Sequence, residues 1–429
     1  MFDALINAFR APDIRRRILF VAGALIVFRL FAHVPVPGVN RDALQAFFQG
    51  SALFGLLDLF SGGGLSNFSI VGLGMNPYIN ASIIMQLMTS VIPRLQELSR
   101  EGEYGRNKIN QYTRYLTVPM AMLQSYGFLA LLASQSNPPI LTTPFDISRF
   151  ETLTQIVTLT AGAILLMWLG ELITEKGIGN GISFIIFAGI VGRIPNAIGN
   201  FLGSPDLAAF AIFAVIGVLA VFVIIYIQEG QRRIPIQYAS RVRGRRMYQG
   251  GSTFLPLRVN QAGVIPIIFA ISILLFPQQV ASYFQNSQVP LVAQISSGIV
   301  EFLSPQRPVY LVLYFLMTVG FTYFYTAFVF KPDETAEQLR KNGGFIPGIR
   351  PGRPTQEYLS KVAFRITVAG ALFLGIVAVS PQVVAAIFPT LGGIGLGGTG
   401  LLIVVSVVVE TMKQIEAQLM MRNYEGFIR

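Results

Sequence analysis

The chain has 429 residues, 53% of them hydrophobic and only 12% charged, with no cysteine, one histidine and a formal net charge of +11. Soluble domains carry about 25% charged residues, so this composition, with a mean hydropathy of +0.59, excludes a soluble globule and describes a polytopic membrane protein. Without Cys and with His33 alone, zinc, haem-thiolate and cysteine-nucleophile chemistry lose most of their candidate residues.

Lysine and arginine concentrate in cytoplasmic loops, so Arg10 and the Arg15 to Arg17 triplet place the N-terminus inside. The apolar run behind the triplet reaches about Val36, contains Arg29 and lacks a small-residue cleavage pattern. It reads as a retained first span from Ile18, not a signal peptide. The stretch from Gly55 to Pro93 begins like a loop within the membrane. Its first half mixes aliphatic side chains with Asp58, Gly62, Gly63, Gly64, Ser66, Asn67 and Ser69. Non-helical backbone at membrane depth costs several kcal/mol per unpaired group unless protein or a water-filled cavity satisfies it, so this half is a re-entrant segment away from lipid. The second half, Met75 to Ile92, continues as span two, and Asn76, Asn80, Ser82 and Gln86 put it along an interior surface.

A polar stretch beyond Pro93, with Arg94, Arg100, Arg106, Lys108 and Arg114, is cytoplasmic. Span three (about Tyr115 to Ala133) leads to a Pro-rich external loop, and span four (about Leu153 to Gly170) to the short turn GELITEKGIGNG. Span five (Ile182 to about Phe201) and span six (Leu207 to about Gln228) flank a tight external connection. Span six exits into a segment holding Arg232, Arg233, Arg241, Arg243, Arg245, Arg246 and Arg258 without an acidic residue, and its alternating apolar positions predict a β-ribbon. Span seven (Gly263 to about Tyr283) is expected to be broken by Gly263, Pro266 and Pro277. Span eight (Val309 to Phe330), a second large cytoplasmic excursion, span nine (about Val362 to Phe388) and span ten (about Leu401 to Met420) complete about ten spans with both termini inside.

The chain divides near Ser204 into residues 1–203, with spans one to five and the re-entrant segment at about 55–74, and residues 204–429, with spans six to ten and the excursions at about 229–260 and 331–361. Irregular segments at corresponding places in two halves point to a pathway between them.

The strings MNPYINASIIMQL, MWLGELITEKGIGNGISFIIFAGIV, NQAGVIPIIFA, GGFIPGIRPGRPT and GGTGLLIVV, in this order, resemble the SecY family of bacterial type, the channel subunits of the Sec protein translocon, over essentially the whole chain. The resemblance implies an all-α polytopic membrane protein, with about ten transmembrane helices in two pseudo-symmetric halves around an hourglass pore. It assigns the constriction ring to Met75, Ile79, Ile182, Ile186, Ile268 and Ile403, and the plug to about Gly55 to Gly74, with Asp58, Asn67 and the displaceable glycines Gly62, Gly63 and Gly64. Met75 departs from the family's usual Ile or Val, a mild change because Met is apolar and adaptable. The wall between spans two and seven corresponds to a lateral gate that releases hydrophobic segments into lipid, with Asn80, Gln86 and Asn180 as its polar contacts.

Arg245 and Arg246 match the tip of the family's first large loop, associated with the ribosome, and Arg350 matches the second, associated with the ATPase SecA. The implied partners are SecE, SecG, SecA, the ribosome, signal peptides and nascent chains, and membrane lipids, at the plasma membrane. From the residues alone, Arg241 to Arg246 serve equally as a topology signal or a headgroup contact. Arg29 and Arg193, near span ends, read as snorkelling or pairing residues. GIGLGG follows no strand and no GxxxxGK[ST] occurs, so the energy source is a partner. No cofactor or metal is implied. The rival reading is an ion-coupled secondary transporter, which normally carries carboxylates at the centres of its spans, where this chain lacks them.

Overall fold

The computed structural model describes residues 9–50, 58, 61–134, 139–192, 195, 199, 207–238, 241–243, 246–248, 251–285, 289–305, 307–387 and 398–426. Over its described residues each predicted span falls on a helix, though most of residues 193–201 of span five lie outside the described residues. In chain order these helices are α1 (Pro12–His33), α3 (Asn76–Val91), α5 (Glu103–Ser134), α6 (Phe150–Lys176), α7 (Gly181–Val191), α8 (Leu207–Glu229), α9 (Ile265–Phe284), α11 (Pro308–Val329), α13 (Arg353–Ile387) and α14 (Gly398–Gly426). Four connecting helices were not foreseen: α2 (Arg41–Gly50), α4 (Pro93–Arg100), α10 (Pro290–Phe302) and α12 (Pro332–Lys341). By length and composition, five described stretches suffice to cross a bilayer: Glu103–Ala133, Phe150–Lys176, Ile265–Phe284, Pro308–Lys341 and Arg353–Ser380. Helix α3 has 16 residues, roughly 24 Å at 1.5 Å each against about 30 Å of hydrocarbon.

Span seven corrects one expectation, because α9 runs unbroken through Pro277. Pro266 lies in its first turn, where the missing N–H would have had no helical partner, and the turn at Gly263 (φ +65°) precedes the helix. The irregular backbone of span seven is thus confined to the turn ahead of the helix.

Helices α3, α5, α6 and α7 pack in series, with α1 against α6 and α7. Helices α9, α11, α13, α14 and α8 form a second series. The two groups meet where α9 packs on α3 and α5, and where α7 packs on α14. Several helices are built inside out. On α11 the buried residues are Tyr310, Tyr314, Thr318, Thr322 and Thr326, while Val309, Val312 and Leu316 are exposed. The hydroxyls of Thr318 and Thr322 return to the carbonyls of Tyr314 and Thr318 at 2.8 and 2.7 Å, so these two donors are met within the helix.

The two large excursions form one body. Strand β1 (Gln231–Tyr238) pairs antiparallel with β4 (Ser252–Arg258) of its own excursion, as the alternation predicted, and with β5 (Gly344–Phe345) of the other. Between them β2 (Arg241–Arg243) and β3 (Arg246–Tyr248) form a separate hairpin. Ile234, Ile236 and Leu257 bury against Leu339, Ile346 and Leu359, in a core distinct from the main one. Truncating Ile236 to Ala should remove about 2–4 kcal/mol of packing. Amide exchange at Gly344 and Phe345 should accelerate along with that of β1; exchange there that stays at the wild-type rate would show that the two excursions do not share a core.

Candidate functional site: an apolar constriction and the segment that fills it

Helix α7 is positioned by its own start. The Asn180 side chain accepts from the backbone N–H groups of Ile182 and Ser183 at 3.0 and 3.3 Å, and Thr174 Oγ1 accepts from Gly181 N at 2.9 Å. A Cβ on Gly181 would lie 1.9 Å from the Gly170 carbonyl oxygen, so only glycine lets α7 begin hard against α6. The four-residue spacing then puts Ile182 and Ile186 on one face of α7, as it puts Met75 and Ile79 on one side of the start of α3. Met75, Ile79, Ile186, Ile268 and Ile403 are buried members of a single apolar cluster, and half-buried Ile182 packs against it. The sequence thus brings six aliphatic side chains from α3, α7, α9 and α14 into one dry core.

The described re-entrant residues, Ser61 to Met75, belong to the same body. Leu65, Phe68, Val71 and Leu73 share the cluster with the six, and Phe68 stacks on Phe128 of α5 with ring centroids 6.2 Å apart. The backbone is a run of tight turns, with Gly63 N bonded to Asp58 O at 3.1 Å, Ser69 N to Gly64 O at 2.8 Å and Gly72 N to Ser69 O at 2.8 Å. It is also stitched to the end of α1: Val36 N donates to Phe68 O at 2.8 Å and Ile70 N to Val34 O at 3.0 Å. Asp58 is buried, and its Oδ1 accepts from Ser61 Oγ at 3.1 Å and from Ser66 N at 2.9 Å. Gly62 and Gly63 have φ of +69° and +85°, which L side chains rarely adopt. A Cβ on Gly62 would also lie 2.8 Å from the Gly189 Cα of α7 and 3.0 Å from the Phe28 ring, and one on Gly64 would lie 2.9 Å from Ser69 Oγ. Asn67 is half-buried, its N–H bonded to Gly63 O at 3.3 Å.

Arg29 is the residue that sequence reasoning undervalued. Its Nη1 donates to the Gly62 carbonyl at 2.9 Å, while its guanidinium occupies the space a Cβ on Gly192 would need, at the C-terminal end of α7. A cation beside the C-terminal end of a helix meets its dipole favourably, and the bond to Gly62 fastens the re-entrant segment to α1. Only an arginine within an otherwise apolar span hinted at this. His33 is structural, its Nδ1 within 2.8 Å of the Arg29 carbonyl oxygen. Arg193 lies outside the described residues.

Asn80 and Gln86 are half-buried on α3, which packs on α9, and Gln86 Oε1 is enclosed without a hydrogen-bond partner. Capping accounts for the Asn180 side chain. Arg245 lies outside the described residues, and Arg246 opens β3 opposite Arg243. Arg350 is exposed, and its carbonyl accepts from Thr355 Oγ1 at 2.8 Å. Nearby on α12, a hydrogen bond from Lys341 holds the Glu337 carboxyl below its ordinary pKa.

A bundle of apolar, membrane-length helices whose core also takes in a turn-rich, non-helical segment is a polytopic membrane protein. The family model described as SecY matches residues 69–412. Over their full lengths, chain and relative alike, the protein is 46% identical to a protein translocase subunit SecY of Streptomyces scabiei and 44% identical to those of Corynebacterium glutamicum and Mycobacterium tuberculosis. Among solved structures, "The structure of a protein conducting channel" matches with a TM-score of 0.68 at 18% identity, covering 93% of this chain and 91% of that one. Sec61 from a canine ribosome-channel complex matches at 0.64 and 18% identity, with the same coverage. The chain belongs to the SecY family. That membership sets aside the ion-coupled transporter.

Losing the charged hydrogen bond of Arg29 should cost about 1.5–3 kcal/mol, a roughly tenfold or greater loss in the ratio of seated to unseated segment. Arg29→Ala and Gly62→Leu should therefore each raise the ion leak of channels in a planar bilayer, with Arg29→Lys intermediate. Leak indistinguishable from wild type in all three would show that these contacts do not hold the segment in place.

Proposed function

We propose that this chain is the protein-conducting channel of a Sec translocon: it passes unfolded polypeptides across the membrane and releases hydrophobic segments sideways into lipid. The observation that carries this reading is the cluster of Met75, Ile79, Ile182, Ile186, Ile268 and Ile403 with the re-entrant segment packed into it. A narrow aliphatic ring excludes ions by dewetting and offers a passing peptide no fixed hydrogen-bonding partner, so it discriminates by size and not by sequence. Residues about 55–74 are the plug, and displacing them opens the path.

On this reading residues 1–203 and 204–429 are the two halves of an hourglass. The contact of α9 with α3 and α5 is the lateral gate, with Asn80 and Gln86 as its polar residues, and the contact of α7 with α14 lies across the pore from it. The sheet formed by the two excursions lies in the cytoplasm with both termini, and the membrane is the plasma membrane. Arg245 and Arg246 are the ribosome-docking tip and Arg350 engages SecA, which supplies ATP energy to an otherwise passive pore. SecE and SecG complete the complex. A partner or signal segment opens the gate only through higher affinity for the open state. The fold shared with Sec61, a channel solved in complex with a ribosome, supports a ribosome as partner.

Single cysteines at Ile79, Ile186 and Ile403 should crosslink to a translocation intermediate stalled in the channel, with SecA and ATP required to form it. Crosslinks confined to other positions would remove the proposed pore. Ribosome affinity should fall steeply with salt, and Arg246→Ala should lower the slope of log K against log salt by about one unit; an unchanged slope would take Arg246 out of the phosphate contact.

A further inference from the structure

Helix α10, Pro290–Phe302, lies at the end of α9 farthest from the sheet and packs on α9. With about 100° per residue, its positions sort onto three sides. One is turned to the protein: Ser296 is its buried residue, and Val292 and Val300, within about 40° of it at that helical spacing, are half-buried. Leu291, Ile295, Ile299 and Phe302 fall on a second side and are 65%, 55%, 37% and 57% exposed. Gln294, Ser297 and Glu301 fall on the third and are also exposed. A connecting helix in water has no use for four exposed large apolar side chains collected on one side, separate from an equally exposed polar side.

We propose that α10 lies in the plane of the membrane surface, with Leu291, Ile295, Ile299 and Phe302 in the acyl-chain boundary and Gln294, Ser297 and Glu301 toward water. Its occupant is lipid because α10 joins the ends of two helices long and apolar enough to cross a membrane, and the large apolar residues at those ends, Phe284, Val289 and Val309, are likewise exposed. From Val259 to Gln306 the sole charged residue is Glu301, so no charge obstructs shallow burial. Since α10 is packed on α9, this contact ties that end of α9 to the bilayer surface.

The natural chain has no cysteine, which makes site-directed spin labelling direct. In the full chain assembled in proteoliposomes, labels at Leu291→Cys, Ile295→Cys and Phe302→Cys should relax faster with oxygen than with a water-soluble nickel chelate, and labels at Gln294→Cys and Ser297→Cys the reverse. The chelate reaching both sets alike would place α10 in water and overturn the proposal. Both relaxants excluded from the first set would mean that a protein covers this side, and would overturn it equally. A double Leu291→Asp, Ile295→Asp change should raise chelate access at a 302 label several-fold; unchanged access would also overturn it.

Discussion

Everything in this structure answers to the requirement that backbone polar groups at membrane depth find partners within the protein. Ten spans meet it as helices. The residues from Ser61 to Met75 meet it without one, through short turns and cross-connections to Val34 and Val36, with a buried carboxylate oxygen serving Ser66 N. Such a network closes only where the chain reverses tightly, which explains glycine at the positive φ of residues 62 and 63, and it places Phe68 at φ +48°, a conformation that costs a non-glycine residue about 1–3 kcal/mol. The buried ring's stacking on Phe128 helps offset that cost. On the proposed reading, a segment with this many internal turns leaves its seat by breaking only its few bonds to Val34, Val36 and Arg29.

Span positions were legible because a 20-residue apolar run has few alternatives, and the unusual character of residues 55–74 was legible because Asp58 and three glycines do not belong in lipid. The proposed ring is not legible from composition. Met75, Ile182 and Ile403 look like any lipid-facing aliphatic residue, and only the family strings singled them out. The unbroken α9 was misread because proline in a helix costs about 3 kcal/mol in water-based measurements, whereas α9 is deeply packed and packed transmembrane helices tolerate proline. The pairing of β1 with β5 joins residues more than a hundred positions apart through two backbone pairs. No local pattern announces such a contact.

Inside-out patterning explains why hydropathy located the helices but not their faces. On α11 the inward positions recur every four residues as Tyr, Tyr, Thr, Thr, Thr, and the outward ones are Val and Leu. In water the larger aliphatic residues would turn inward. In lipid nothing drives them there, so small and hydroxylic residues take the interface because they let backbones approach.

An aliphatic constriction, as proposed here, has a physical advantage. Polar side chains at that depth would need fixed partners and would have to exchange them with each residue of a moving chain, at about 1–3 kcal/mol for every partner left unmet. Aliphatic side chains lose only dispersion contacts as they part, individually about 0.1–0.2 kcal/mol, and regain them on whatever surface passes. Such a ring alone is a weak barrier when deformed. The second element, a turn-rich segment held by Arg29 at Gly62 and by backbone pairs to α1, supplies the directional contacts that the ring cannot have. On the proposed reading, sealing is divided between a part that yields to any chain and a part whose release is a discrete step.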